Sequence, residues 1–127
     1  MSLDLAMCDA IRESLQTAFP SVFVGLPHDH ERITMPAILL NLQGTSLLNS
    51  PLWTGTLTVA IGQQADDTTV EQHIAFVKQV SEFMDTLEID SDVVQIYGYV
   101  SKSSDNVNEE RHWNTNLTYT LGYGPKP

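Results

Sequence analysis

HWNTNLTYTLGY, residues 112–123, is the stretch from which the rest of the chain is best read. Trp113, Leu117, Tyr119, Leu121 and Tyr123, with Thr115 among them, alternate with Asn114, Asn116, Thr118 and Thr120. A period of two is that of a half-buried strand, its aromatic and aliphatic side chains toward a core and its amides and hydroxyls toward the other face. Upstream, VVQIYGYVSK at 93–102 is a second run rich in β-branched and aromatic residues, with polar Ser103–Arg111 between the two. Together they predict a long antiparallel hairpin whose tip is Ser103–Arg111.

The same period recurs earlier. In LWTGTLTVAIG, residues 52–62, Trp53, Gly55, Leu57, Val59 and Ile61 alternate with Thr54, Thr56, Thr58 and Ala60. AILLNLQ at 37–43 is an apolar strand, and GTSLLNSP at 44–51 has the composition of a loop, so these pieces predict another hairpin. SVFVGL at 21–26 is a short strand ended by Pro27, and the proline-bracketed stretch 27–36 is a connection.

Two segments have helical periodicity instead. Leu3, Met7, Ala10, Ile11, Leu15 and Ala18 form one stripe, with Ser2 as N-cap, Asp4 in the first turn and Pro20 as a stop. Val70, Ile74, Val77, Val80, Met84 and Leu87 form another, widened by Phe76 and Phe83. Thr68 with Glu71, and Thr69 with Gln72, both have the spacing of a capping box. The order is therefore α-β-β-β-α-β-β. Strands in runs favour an α+β fold: one domain, 1–127, with a mainly antiparallel sheet of about five strands and two helices packed on one face.

Composition bounds the function. The chain has 127 residues, 42% hydrophobic and 17% charged, and a net charge of −10. That balance argues against free-standing nucleic-acid binding and against a basic membrane-surface helix, both of which depend on Lys and Arg. No apolar run approaches a membrane-spanning length, and the first residues lack a signal peptide's basic flank and apolar stretch. Cys8 is the single cysteine, which excludes an intrachain disulfide and fits a protein made in a reducing cytoplasm.

Candidate chemistry is sparse. His28-Asp29-His30-Glu31 is the densest group of potential ligands, and a metal-dependent hydrolase built on His28, His30 and Glu31 is the enzymatic alternative. A zinc site needs three or four converging ligands, and His73 and His112 have no ligand-spaced partner, so a solvated turn is the simpler reading. Cys8 lies beside the first helix's apolar stripe and reads as a buried thiol. Asp66 and Asp67 precede a helix N-terminus, where negative charge is favoured without any chemistry. The glycines are scattered singly and make no phosphate-cradling loop. No catalytic constellation emerges, and no cofactor or metal is expected.

Charge placement is more informative. Eleven of the 16 acidic residues but two of the six basic ones fall between residues 63 and 110, on the second helix, its flanks and the hairpin. Such a surface serves solubility, repels polyanions or meets a basic partner; a monomeric acidic adaptor is a further alternative. Leu47 and Leu48, in a polar loop, and Trp53 just after it either fold over the core or anchor another subunit. The threonine face of 52–62 and the Asn/Thr face of 113–123 are uncharged polar surfaces able to contact protein or water.

The pattern as a whole resembles the tail terminators of long-tailed phages, small proteins that cap the tail tube. The resemblance rests on the helix Leu3–Ala18 leading to the strand Val22–Leu26, and on Met35-Pro36-Ala37-Ile38 opening the second strand. It rests also on Trp53-x-Gly55-x-Leu57-x-Val59-x-Ile61 leading into the helix Val70–Leu87, and on the closing Arg111-x-Trp113-x-x-x-Leu117-x-Tyr119-x-Leu121. It spans nearly the full length as a succession of elements, without an invariant motif, and neighbouring tail-completion, head–tail connector and baseplate families share much of it.

The resemblance implies a structural virion protein, made in the host cytoplasm and placed at the head-proximal end of the tail. It would form a homohexameric ring on the tail tube protein, end tail polymerisation and offer a surface to the head-completion or neck protein. DNA would pass through as repelled cargo. On that reading Leu47, Leu48, Trp53, Asp105 and Asn106 belong to a subunit or tube interface, and Asp66, Asp67, Glu71, Glu82, Asp85 and Glu88 to an acidic lumen.

Overall fold

A computed structural model describes residues 3–26, 35–46, 52–66, 68–89, 91, 94–109 and 112–125. Its elements are α1 (Leu3–Ala18), β1 (Phe23–Gly25), β2 (Ala37–Ser46), β3 (Trp53–Gln64), α2 (Val70–Asp85), β4 (Val94–Glu109) and β5 (His112–Pro125). The strands form one sheet in the order β1-β2-β3-β5-β4. β1 runs parallel to β2 at one edge, and the other three ladders are antiparallel. The fold is the α+β arrangement that the order of periodic segments predicts. Among the described residues no helix is long and apolar enough to cross a membrane.

Both helices pack on the same face. Met7, Ile11 and Leu15 of α1 and Val80 and Met84 of α2 join Ile38, Leu40, Leu57, Val59, Tyr119 and Leu121 in one core. Each such buried aliphatic side chain contributes about 1.5–3 kcal/mol by leaving water. α1 touches both edge strands as well as β2 and β5, so the sheet curls around it.

Local chemistry sets the junctions. Gln16 ties the end of α1 to β1: its amide nitrogen donates to the Val22 carbonyl at 2.9 Å, and its amide oxygen accepts from the Val24 N–H at 3.4 Å. Phe19 meets Phe76 and Phe83 edge-to-face, with ring centroids 6.0 and 5.9 Å away, and so joins the two helices. Thr69 and Gln72 form the capping box at the start of α2. That helix ends at Asp85 rather than Leu87, because the Thr86 and Leu87 N–H groups turn to the carbonyls three residues back.

The main departure from expectation is at the last hairpin. Ser103–Glu109, predicted as a polar tip, is strand: β4 continues to Glu109 and pairs with β5 as far as His112. This stretch has few apolar residues and no alternation, so its sequence lacks the signal of a half-buried strand. The β5 backbone beside it supplies the ladder, and irregularities between Ile96 and Gly98 and between Ser101 and Ser103 adjust the register. Likewise Gly44–Ser46, predicted as loop, extends β2 by pairing with Trp53–Gly55.

Candidate assembly surfaces

Ladder registers assign the two faces of the sheet. On the face away from the helices, Gln43, Thr56 and Thr120 lie in one row, Asn41, Thr58 and Thr118 in the next, and Leu39, Ala60 and Asn116 in the third. Asn41, Gln43, Thr56 and Thr120 are exposed and the remainder half-buried. None of these nine side chains is charged. At one end of this face a shallow cavity of about 260 Å³ is lined by Met35, Leu39, Ala60, Gly62, Asn114 and Asn116. It offers two amides and apolar surface, with no nucleophile, carboxylate or imidazole.

The acidic residues are elsewhere. Asp66, Glu71, Glu82, Asp85 and Glu88 are all exposed. Glu71, Glu82 and Asp85 occur at helical spacings on the outer side of α2, with Lys78 among them. Glu88 and Glu13 border a groove of about 510 Å³ whose apolar lining includes Ala10, Phe83 and Ile89.

Trp53 is half-buried and faces inward, stacked on Tyr123 with ring centroids 6.4 Å apart. Asp105 and Asn106 are placed within the β4–β5 ladder, opposite Asn116 and Thr115, not at a loop tip. Leu47, Leu48, Asp67, His28, His30 and Glu31 lie outside the described residues.

The inner face holds the perturbed groups. Cys8 is buried as expected; burial, reinforced by Asp9 and Asp4, pushes its thiol up to about 11. Burial also raises Tyr99, Tyr119 and Tyr123, the last to about 12 with Asp4 and Cys8 adding to the effect. Tyr99 and Tyr119 stack with centroids 5.0 Å apart.

One constellation escaped the sequence reading. His73 is buried, with Nδ1 2.7 Å from Gln63 Oε1 and Nε2 2.9 Å from Thr115 Oγ1. Its spacing from Val77, Val80 and Met84 puts it on the core side of α2, a signal that periodicity contained. Its two partners, on β3 and β5, could not be read from the helix alone. Among the described residues no group of three or more His, Cys, Asp or Glu side chains is disposed to hold a metal ion.

No family model matches the chain. No curated protein matches it. A solved structure whose name carries no functional description is similar over 100% of this chain and 97% of its own, with a TM-score of 0.54 and 12% identity. At that identity the likeness shows a common fold and nothing about activity.

Proposed function

We propose that the chain is a structural virion protein of the tail-terminator type. It caps the tail tube as a homohexameric ring, ends tube polymerisation and presents a surface for head attachment. The observation that carries this reading is the uncharged outer face of β2, β3 and β5, on a chain whose net charge is −10. Copies of a strongly acidic protein repel one another, and the neutral face is where a second copy approaches at least electrostatic cost. A ring requires one patch to meet a different patch on the next subunit. The outer face of those strands is one such patch, and Leu47 and Leu48, in the sequence between β2 and β3, are assigned to the other, with Trp53 turned inward onto Tyr123 at the start of β3. The acidic side of α2, with Asp66, Glu71, Glu82, Asp85 and Glu88, is assigned to the channel, where like charge keeps DNA from adhering.

Native mass spectrometry over a concentration series, with electron microscopy of the same samples and added tube protein, tests the proposal. The expected species has six times the 14.1 kDa mass of one chain, is annular, and caps tube ends. A protein that stays monomeric with tube protein present, and binds basic partners in a salt-sensitive way, is instead the acidic adaptor. A ring with the α2 carboxylates on its outer wall would sink the lumen assignment alone.

A further inference from the structure

The two halves of α2 are held to the sheet by different chemistry. Toward the C-terminus, Val80 and Met84 are fully buried, and Phe76 and Phe83 pack on Phe19. Toward the N-terminus the buried residue is His73, while Val70 and Ile74 are 41% and 62% exposed. That end is tied by polar contacts: His73 to Gln63 and Thr115, and the Trp113 indole N–H, which donates to the Thr68 carbonyl at 2.8 Å.

We propose that His73 makes the N-terminal half of α2 a proton-released latch, closed on the sheet while the imidazole is neutral and released when it is protonated. With Gln63 Oε1 accepting, Nδ1 carries the proton and Nε2 accepts from the Thr115 hydroxyl, so both ring nitrogens are satisfied in the neutral form. A second proton would place a cation in a site 5% exposed to solvent. The described groups around it offer no counter-charge. β3 presents Gln63 and β5 presents Trp113 and Thr115, while Gln64, Asn114 and half-buried His112 take the alternate positions of those strands. On α2 itself Glu71 and Lys78 are exposed, as is Asp66 before it.

The linkage sign follows. Burial lowers the His73 pKa from 6.5 in the closed state, so the latch is closed above pH 6.5 and loosens as pH falls through the lowered value. One proton allows the open fraction to rise by at most about tenfold per pH unit.

Hydrogen exchange of the intact chain, corrected for intrinsic pH dependence, reads the latch directly between about pH 7.5 and pH 5, the range in which histidine titrates. Trp113 fluorescence in a Trp53→Phe background gives a second readout. The expected result is a reversible loss of protection confined to residues 70–75, with 76–85, held by the apolar packing of Phe76, Val80, Phe83 and Met84, still protected, together with a matching Trp113 transition. His73→Gln, which keeps hydrogen-bonding capacity and does not titrate, should abolish the pH dependence of both signals. If that variant fails to fold, the wild-type exchange pattern still decides. Unchanged protection of 70–75 across the range, simultaneous loss over the whole of α2, or a transition that persists in His73→Gln would each overturn the proposal.

Discussion

Gly44 has no side chain because the Tyr123 ring occupies the space: a Cβ there would run into the phenolic hydroxyl and crowd the ring carbon behind it. Gly44→Ala should therefore destabilise the fold by about 1–3 kcal/mol, the usual cost of overpacking, as measured by urea unfolding. Tyr123→Phe should cost less than about 1 kcal/mol alone, because the hydroxyl is buried without a hydrogen-bond partner among the described residues. Combined with Gly44→Ala it should recover part of the loss. A fully additive pair would show that the two positions do not meet. The buried tyrosines also set an alkaline limit. Their folded-state pKa values are raised, so their contribution to stability is complete below about 10, the ordinary tyrosine value, and is lost as pH rises toward about 12, where Tyr123 ionises. Circular dichroism and tyrosinate absorbance should change together over that interval.

Among the elements, α2 depends most visibly on its first residues. Thr69 accepts from the Gln72 N–H at 3.2 Å, and the Gln72 side chain accepts from the Thr69 N–H at 2.9 Å. Thr69→Ala should cost about 1 kcal/mol, read as a lower urea midpoint with an unchanged slope. An unchanged midpoint would mean that tertiary contacts alone hold this end. The capping box was legible because Thr69 and Gln72 are neighbours in sequence and the motif is local. The far half of β4 was not, because a polar edge segment is recruited by its partner's backbone and need not advertise itself through alternation.

For the whole molecule, the proposed ring rests on the division between the uncharged outer face of β2, β3 and β5 and the acidic side of α2. Thr56 is exposed between Gln43 and Thr120. Thr56→Glu should leave the monomer folded, within about 1 kcal/mol of the parent on the scale of strand propensities, while abolishing self-assembly in native mass spectrometry. Assembly indistinguishable from the parent chain's would remove the outer face from the interface.

By itself the sequence determined the kinds of element, their order and the inward faces of both helices and of β3 and β5, because periods of two and of three to four residues are local consequences of backbone geometry. His112–Tyr123 and Trp53–Ile61 needed nothing beyond their own alternation to be placed. Only the tertiary structure decided that β5 inserts between β3 and β4, that Ser103–Glu109 is strand, and that His73 meets Gln63 and Thr115. Those outcomes join residues far apart along the chain, and their energies come from backbone pairing and desolvation that exist only once the partners have come together.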